Sequence, residues 1–247
     1  MFEISGNSVS KGIAMGKIIF YSNNINNVQQ YILNDTYTEL DRYKKAFKIA
    51  KTQLQELYDY VKNNIGKDES VIFQTHIMIL EDSQFMKNVE NIIMNRKLNA
   101  EFAVYDTSSQ IAEMFKQIDD EYLQQRYFDI IDSANTLLEI LDPKIPYFNT
   151  DEHSIIAAAQ MLPSETIKLN KLGSLGFITN KGSKNSHAAI LSRSMKLPAL
   201  TNINEDLSKF NGMYAILDGY NNKIIIEPDD NTIEIYKKSK IEKEVLL

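Results

Sequence analysis

The stretch KGSKNSHAAILSRSMKLPAL, residues 181–200, carries His187, one of only three histidines in the chain. Ser186 stands where an N-cap should stand for the helix AAILSRSM. A helix start offers unpaired amides and the positive end of the dipole, which together suit an anion. Gly182 and Ser183 provide a polar, pliable approach, and Lys184 and Arg193 add positive charge. A neutral imidazole placed there has a lone pair that can attack phosphorus, and the surrounding donors could balance the charge of the phosphorylated ring. On these residues alone, a satisfied surface histidine or a simple cap is the better explanation of the loop. A Ser–His hydrolase fits less well because no GxSxG is present. No metal site is expected either: His76, His153 and His187 lack short ligand spacing, and there is no cysteine.

The elements that must hold this loop divide the chain in two. All five prolines and eight of the nine glycines lie outside residues 31–141, so the middle should be helical and the flanks rich in turns. Leu40, Tyr43, Phe47, Ala50, Leu54, Leu57 and Val61 form the stripe of a long amphipathic helix. Leu123, Tyr127, Ile130, Ala134, Leu137 and Leu141 form another, with shorter helices expected near 69–80, 85–97 and 101–118. Short links between such helices imply an antiparallel bundle. In the flanks, strands are expected at 18–21, 154–159, 175–179, 213–218 and 223–227, and helices near 164–170, 187–196 and 203–210. Such alternation describes an α/β unit. The expected layout is therefore an α/β domain from 1–22 plus 144–229, an inserted all-α helical bundle at 31–141, and a linker helix at 230–247.

Charge follows the same division. Residues 31–141 hold 19 acidic and 12 basic side chains, a balance of −7, while the remainder is nearly neutral and the whole chain carries −6. That distribution argues against nucleic acid as the main partner. No apolar run approaches the roughly 20 residues of a membrane span, and the N-terminus lacks a signal-peptide pattern. A cytoplasmic protein with no membrane partner is the expectation.

Read together, LPSETIKLN (162–170), LGFITNKGSKNSHAAILSRSMKLPAL (175–200), GIAMGK (12–17), IFQTHIMILED (72–82) and DDEYLQQR (119–126) resemble, in order, the N-terminal portion of the Enzyme I family. These are the phosphoenolpyruvate–protein phosphotransferases of the bacterial sugar phosphotransferase system. The phosphohistidine motif itself is shared with the swivelling domains of dikinase-like enzymes, whereas the helical signatures are not. The resemblance implies a swivelling α/β phosphohistidine domain with an inserted helical subdomain that docks the carrier HPr.

On that resemblance His187 would carry the phosphoryl group on Nε2, with Ser186, Arg193 and Lys184 beside it. The phosphate would come from phosphoenolpyruvate on a separate C-terminal barrel that no part of this chain resembles. No cofactor is expected in this portion, since magnesium would accompany that barrel, and the portion should be monomeric. HPr would meet Asp68, Glu69, Val71, Ile72, His76, Met78, Ile79, Glu81, Asp82, Phe85 and Arg126. Several positions depart from the family pattern: Leu162 for a threonine, Ser183 for the second glycine, Lys184-Asn185 for Arg-Thr, Ser83-Gln84 for an acidic pair, and Thr201-Asn202-Ile203 for Val-Gly-Thr. The alternatives left open are a divergent regulatory module that docks HPr-like partners without efficient transfer, and the phosphohistidine domain of a dikinase-like enzyme.

Overall fold

The computed structural model describes residues 1–22, 28–142 and 153–245. They form two compact units, divided between Ser22 and Asn23 and again between Tyr147 and Phe148.

The middle unit is helical: α1 (Thr36–Asn64), α2 (Lys67–Leu80), α3 (Ser83–Met94), α4 (Ala100–Lys116) and α5 (Glu121–Leu141). Asp35 caps α1 by accepting from the amides of Tyr37 (3.0 Å) and Thr38 (3.1 Å). Asp82 caps α3 through Gln84 and Phe85, both at 2.9 Å. α1 buries Tyr43, Ala46, Ala50, Leu54, Leu57 and Val61. The expected stripe named Leu40 and Phe47 instead of residue 39 and Ala46; both are only half-buried. The reason is Glu39, which turns inward as part of a polar contact between helices. Its Oε1 accepts the Ala100 amide at 2.6 Å and pairs with Arg42 at 2.6 Å. α4 has no cap from its own Asn99, so a carboxylate from α1 serves its N-terminus.

The flanks build one eight-stranded sheet: β1 (Phe2–Ser5), β2 (Asn7–Ser10), β3 (Ile13–Tyr21), β4 (Ile155–Ala158), β5 (Gly176–Thr179), β6 (Ala199–Thr201), β7 (Tyr214–Asp218) and β8 (Lys223–Ile226). Their order is β1-β8-β7-β3-β4-β5-β6-β2. β3 serves two neighbourhoods. Ile13–Lys17 runs antiparallel to β7, and Ile18–Tyr21 runs parallel to β4. Because side chains alternate along a strand, Ile155 and Ala157 join one core while Ile156 and Ala158 join the other. The second core also takes Leu169 of α6 (Pro163–Lys171) and Ala188 and Ala189 of α7 (His187–Ser194). α7 is thereby fixed against the sheet by its own apolar face.

Two differences from expectation stand out. Residues 203–210 form only a 3-10 turn, Leu207–Phe210, because Asn204, Glu205 and Asp206 bury nothing and Gly212, at φ +83°, ends it. The last helix, α8 (Asp230–Val245), groups with the α/β unit: Ile233 and Tyr236 pack on Ile13, Ile216 and Ile225, and the Tyr236 hydroxyl donates to Asp218 at 2.9 Å. No helix among the described residues is long and apolar enough to cross a membrane.

Candidate functional site: the His187 loop and the outer face of α2

The loop from β5 to α7 is held from three sides. Asn180 Nδ2 donates to the carbonyls of Ile203 (2.8 Å) and Glu205 (2.7 Å). Asn202 Nδ2 donates to the Gly182 carbonyl at 3.1 Å. Arg193 Nη1 donates to the Lys184 carbonyl at 2.9 Å and to Val9 of β2 at 3.1 Å. Asn202 has φ +59°, a left-handed conformation that glycine and asparagine tolerate best. Asn202 tolerates that conformation and adds a side-chain donor that glycine would lack. Gly182 has no such latitude: a Cβ there would lie 2.6 Å from Cγ2 and 2.9 Å from Cβ of Thr201.

Ser186 is the N-cap of α7. Its Oγ accepts the Ala189 amide at 3.2 Å and donates to the Ser183 carbonyl at 2.9 Å. His187 follows as the first residue of the helix, half-buried, with exposed Lys184 and Asn185 preceding it in the loop. The ring is therefore delivered at the positive end of a helix whose opposite face is anchored in the core. Ser186 and Arg193, expected from the sequence as phosphate contacts, have scaffold duties here: one hydroxyl closes the turn and one guanidinium nitrogen ties the loop to β2. Asn180 and Asn202 were missed. The only signal for Asn202 was an asparagine standing where the family pattern has glycine.

The helical unit sorts the other candidates by burial. Val71 and Met78, seven residues apart on α2, are 50% and 64% exposed. Asp68, Glu81 and Asp82 are exposed, and Glu69 and Ile79 half-buried; Glu81 pairs with Lys51 of α1. Arg126 is partly buried and pairs with Asp129 at 3.1 Å. Ile72, Phe85 and His76 do not belong on this surface. Ile72 and Phe85 face the bundle core. His76 is wholly buried, its Nε2 3.9 Å from Asp129 and its Nδ1 3.7 Å from Asp132, edge-on to Phe73. All three occupy the inward stripe of α2 or α3. Met114 and Ile118, exposed at the end of α4 and just beyond it, are apolar surface that the sequence reading did not single out.

These features recur in known proteins. Residues 5–126 match the family model of the PEP-utilising enzyme, N-terminal, and residues 150–222 match that of the PEP-utilising enzyme, mobile domain. The chain belongs to the PEP-utilising enzyme family. It is 32% identical over 241 residues to a phosphoenolpyruvate-protein phosphotransferase of Bacillus subtilis, and 35% identical over 239 residues to one of Haemophilus influenzae. Those alignments cover 96% and 95% of this chain but 42% of each relative. The fold matches the solution structure of an Enzyme I protein with a TM-score of 0.76 and 29% identity, covering 98% of this chain and 99% of that one. An N-terminal domain of nitrogen-type Enzyme I shares the fold at 22% identity and a TM-score of 0.69. The α/β domain with an inserted helical subdomain is thus the family's own architecture.

Proposed function

We propose that the chain is the phosphohistidine and carrier-docking portion of a phosphoenolpyruvate–protein phosphotransferase. The observation that carries this reading is His187 at the capped start of α7, on a loop held by Asn180, Asn202 and Arg193. In the forward direction an imidazole nitrogen bonds the phosphorus of phosphoenolpyruvate as the P–O bond breaks and the enolate of pyruvate leaves. The N–P bond then breaks as a histidine of HPr takes the phosphoryl group. Such transfer asks the protein for alignment and charge balance more than for further covalent chemistry. The amides at the start of α7, together with Lys184 and Arg193, supply that balance.

The helical unit supplies the carrier's surface in this reading. Val71, Met78 and Ile79 offer apolar contacts on α2, flanked by Asp68, Glu69, Glu81 and Asp82, whose charge would steer a basic partner. Phosphoenolpyruvate itself would be bound by a barrel domain outside the matched 42% of the relatives' length, and any magnesium belongs with it.

The test is incubation of the chain with phosphorylated HPr, followed by measurement of acid-labile phosphate. Wild type should take up label and His187→Ala should take up none. Equal labelling of the two would end the proposal. Lack of any labelling together with intact HPr binding would instead favour the regulatory docking module.

A further inference from the structure

The α/β unit has an open concave cavity of about 1100 Å³ that His187 does not line. Its wall is drawn from β2, the start of β3, the residues after α6, the 184–185 turn, the end of α7 and α8. Six cations line it: Lys11, Lys184, Arg193, Lys196, Lys240 and Lys243. Among the described residues no aspartate or glutamate does. In a chain of net charge −6, that concentration of one sign is a local feature rather than a reflection of composition. Asp218, which precedes the lining residue Gly219, is committed elsewhere: it accepts from Tyr236, from the amides of Tyr220 and Asn221, and from the Asn221 side chain. Lys11, Lys184 and Lys196 have no ion pair among the described residues. Lys243 rests 3.9 Å from the centre of the Tyr220 ring.

A second observation points to a ligand. Ser174 also lines the cavity; it is buried, and its hydroxyl has no hydrogen-bond partner among the described residues. Buried hydroxyls are normally paired, and an unpaired one beside a cation-lined cavity is a donor in want of an acceptor.

We propose that this cavity binds a small, multiply phosphorylated molecule, of the di- or triphosphate class. Several like charges around one concave wall repel one another and focus a positive potential inward, and a polyanion relieves both. A single phosphate fills a small part of the volume and meets few of the cations. The volume stands just above the range of small-ligand sites, which runs from roughly 300 to 1,000 Å³. A concave wall in an acidic chain suits a compact anion over a nucleic-acid strand. Because Lys184 and Arg193 belong both to this wall and to the clamp on the 182–187 loop, occupancy should be felt at the loop.

The inference does not rest on phosphoryl transfer, and its test uses no carrier. The 247-residue chain is titrated calorimetrically with tripolyphosphate, with inorganic phosphate and with a single-stranded oligonucleotide, while amide shifts of residues 182–187 are followed by NMR. Tripolyphosphate should bind one saturable site at least tenfold more tightly than phosphate and move those amides. The Lys11→Gln/Lys196→Gln double variant should weaken it at least tenfold; Lys243→Gln, assayed alone, should weaken it severalfold and serves if the double variant does not fold. Ser174→Ala should weaken it as well. Tripolyphosphate binding no tighter than phosphate, binding unchanged in the lysine variants, or tighter binding of the oligonucleotide would each overturn the proposal.

Discussion

His76 and His187 show how differently the two units use the same side chain. In the helical unit, His76 sits in mid-helix within a periodic stripe, wholly buried between Asp129 and Asp132 of α5. In the α/β unit, His187 begins a helix straight after its N-cap and stays half-buried, while Ala188 and Ala189 do the packing. A histidine inside an apolar period is drawn into the core with its neighbours; one placed ahead of that period is left at the helix mouth. Position relative to the cap, rather than residue type, separates the buried histidine from the half-buried one here.

The contrast can be broken most sharply by exchanging the expected losses. His76→Ala leaves a cavity between two buried carboxylates and should cost about 2–4 kcal/mol of unfolding free energy, read from urea melts. At temperatures where it remains folded, the variant should still accept phosphate at His187. A His76→Ala protein as stable as wild type would show that the buried triad holds nothing together. Next in size, Gly182→Ala drives a Cβ into Thr201 and should lower stability by about 1–3 kcal/mol while slowing phosphate uptake. Adding Thr201→Ser removes Cγ2 and should recover part of the loss; no recovery would place the strain elsewhere.

Arg193→Lys keeps the charge but shortens the side chain and removes the planar Nη1 that donates to both Lys184 and Val9. A loss of about 1 kcal/mol is expected, with slower uptake by His187. If uptake and stability are both unchanged, the clamp is incidental. The smallest effect concerns Glu39. Burial pushes its carboxyl up, but the hydrogen bonds from Arg42 and the Ala100 amide outweigh this and hold it below its ordinary value. The stabilisation is therefore complete above about pH 4.3, the unfolded value, and disappears as pH falls through the lower folded value. Between pH 6 and pH 3, Glu39→Gln should flatten the stability profile by about 1 kcal/mol, discounted for the partly exposed Arg42. A profile identical to wild type would remove Glu39 from the acid response.

The sequence exposed those features that repeat. Five helices of the middle unit were legible from apolar periods and from the missing glycines and prolines, and β4, β5, β7 and β8 from short β-branched runs. β2, spelled NSVS, and the three-residue β6 were not, because neither carries enough apolar alternation to stand apart from a turn. His187 and its cap were readable because capping chemistry is local. The supports from Asn180, Asn202 and Val9 join positions 20 to 184 residues apart, and only folding brings them together. Ile72 was misplaced because α2 is apolar on several sides, so spacing alone does not say which side meets solvent; Phe85 shares one stripe with Val89, Ile92 and Ile93 on α3, and that period places it inside.

β3 and β4 are neighbours that run in the same direction, with Ile18 opposite Ile155 and Tyr21 opposite Ala158. Parallel neighbours cannot be joined by a tight reversal; the chain must travel back the length of the strand, which takes a dozen or more residues. Seen from the sheet, everything between Tyr21 and Ile155 is a single oversized crossover. The helical bundle therefore occupies a connection that the fold requires in any case. A descendant lacking it would still have to keep a return path, and a two-residue splice would break the sheet at its middle.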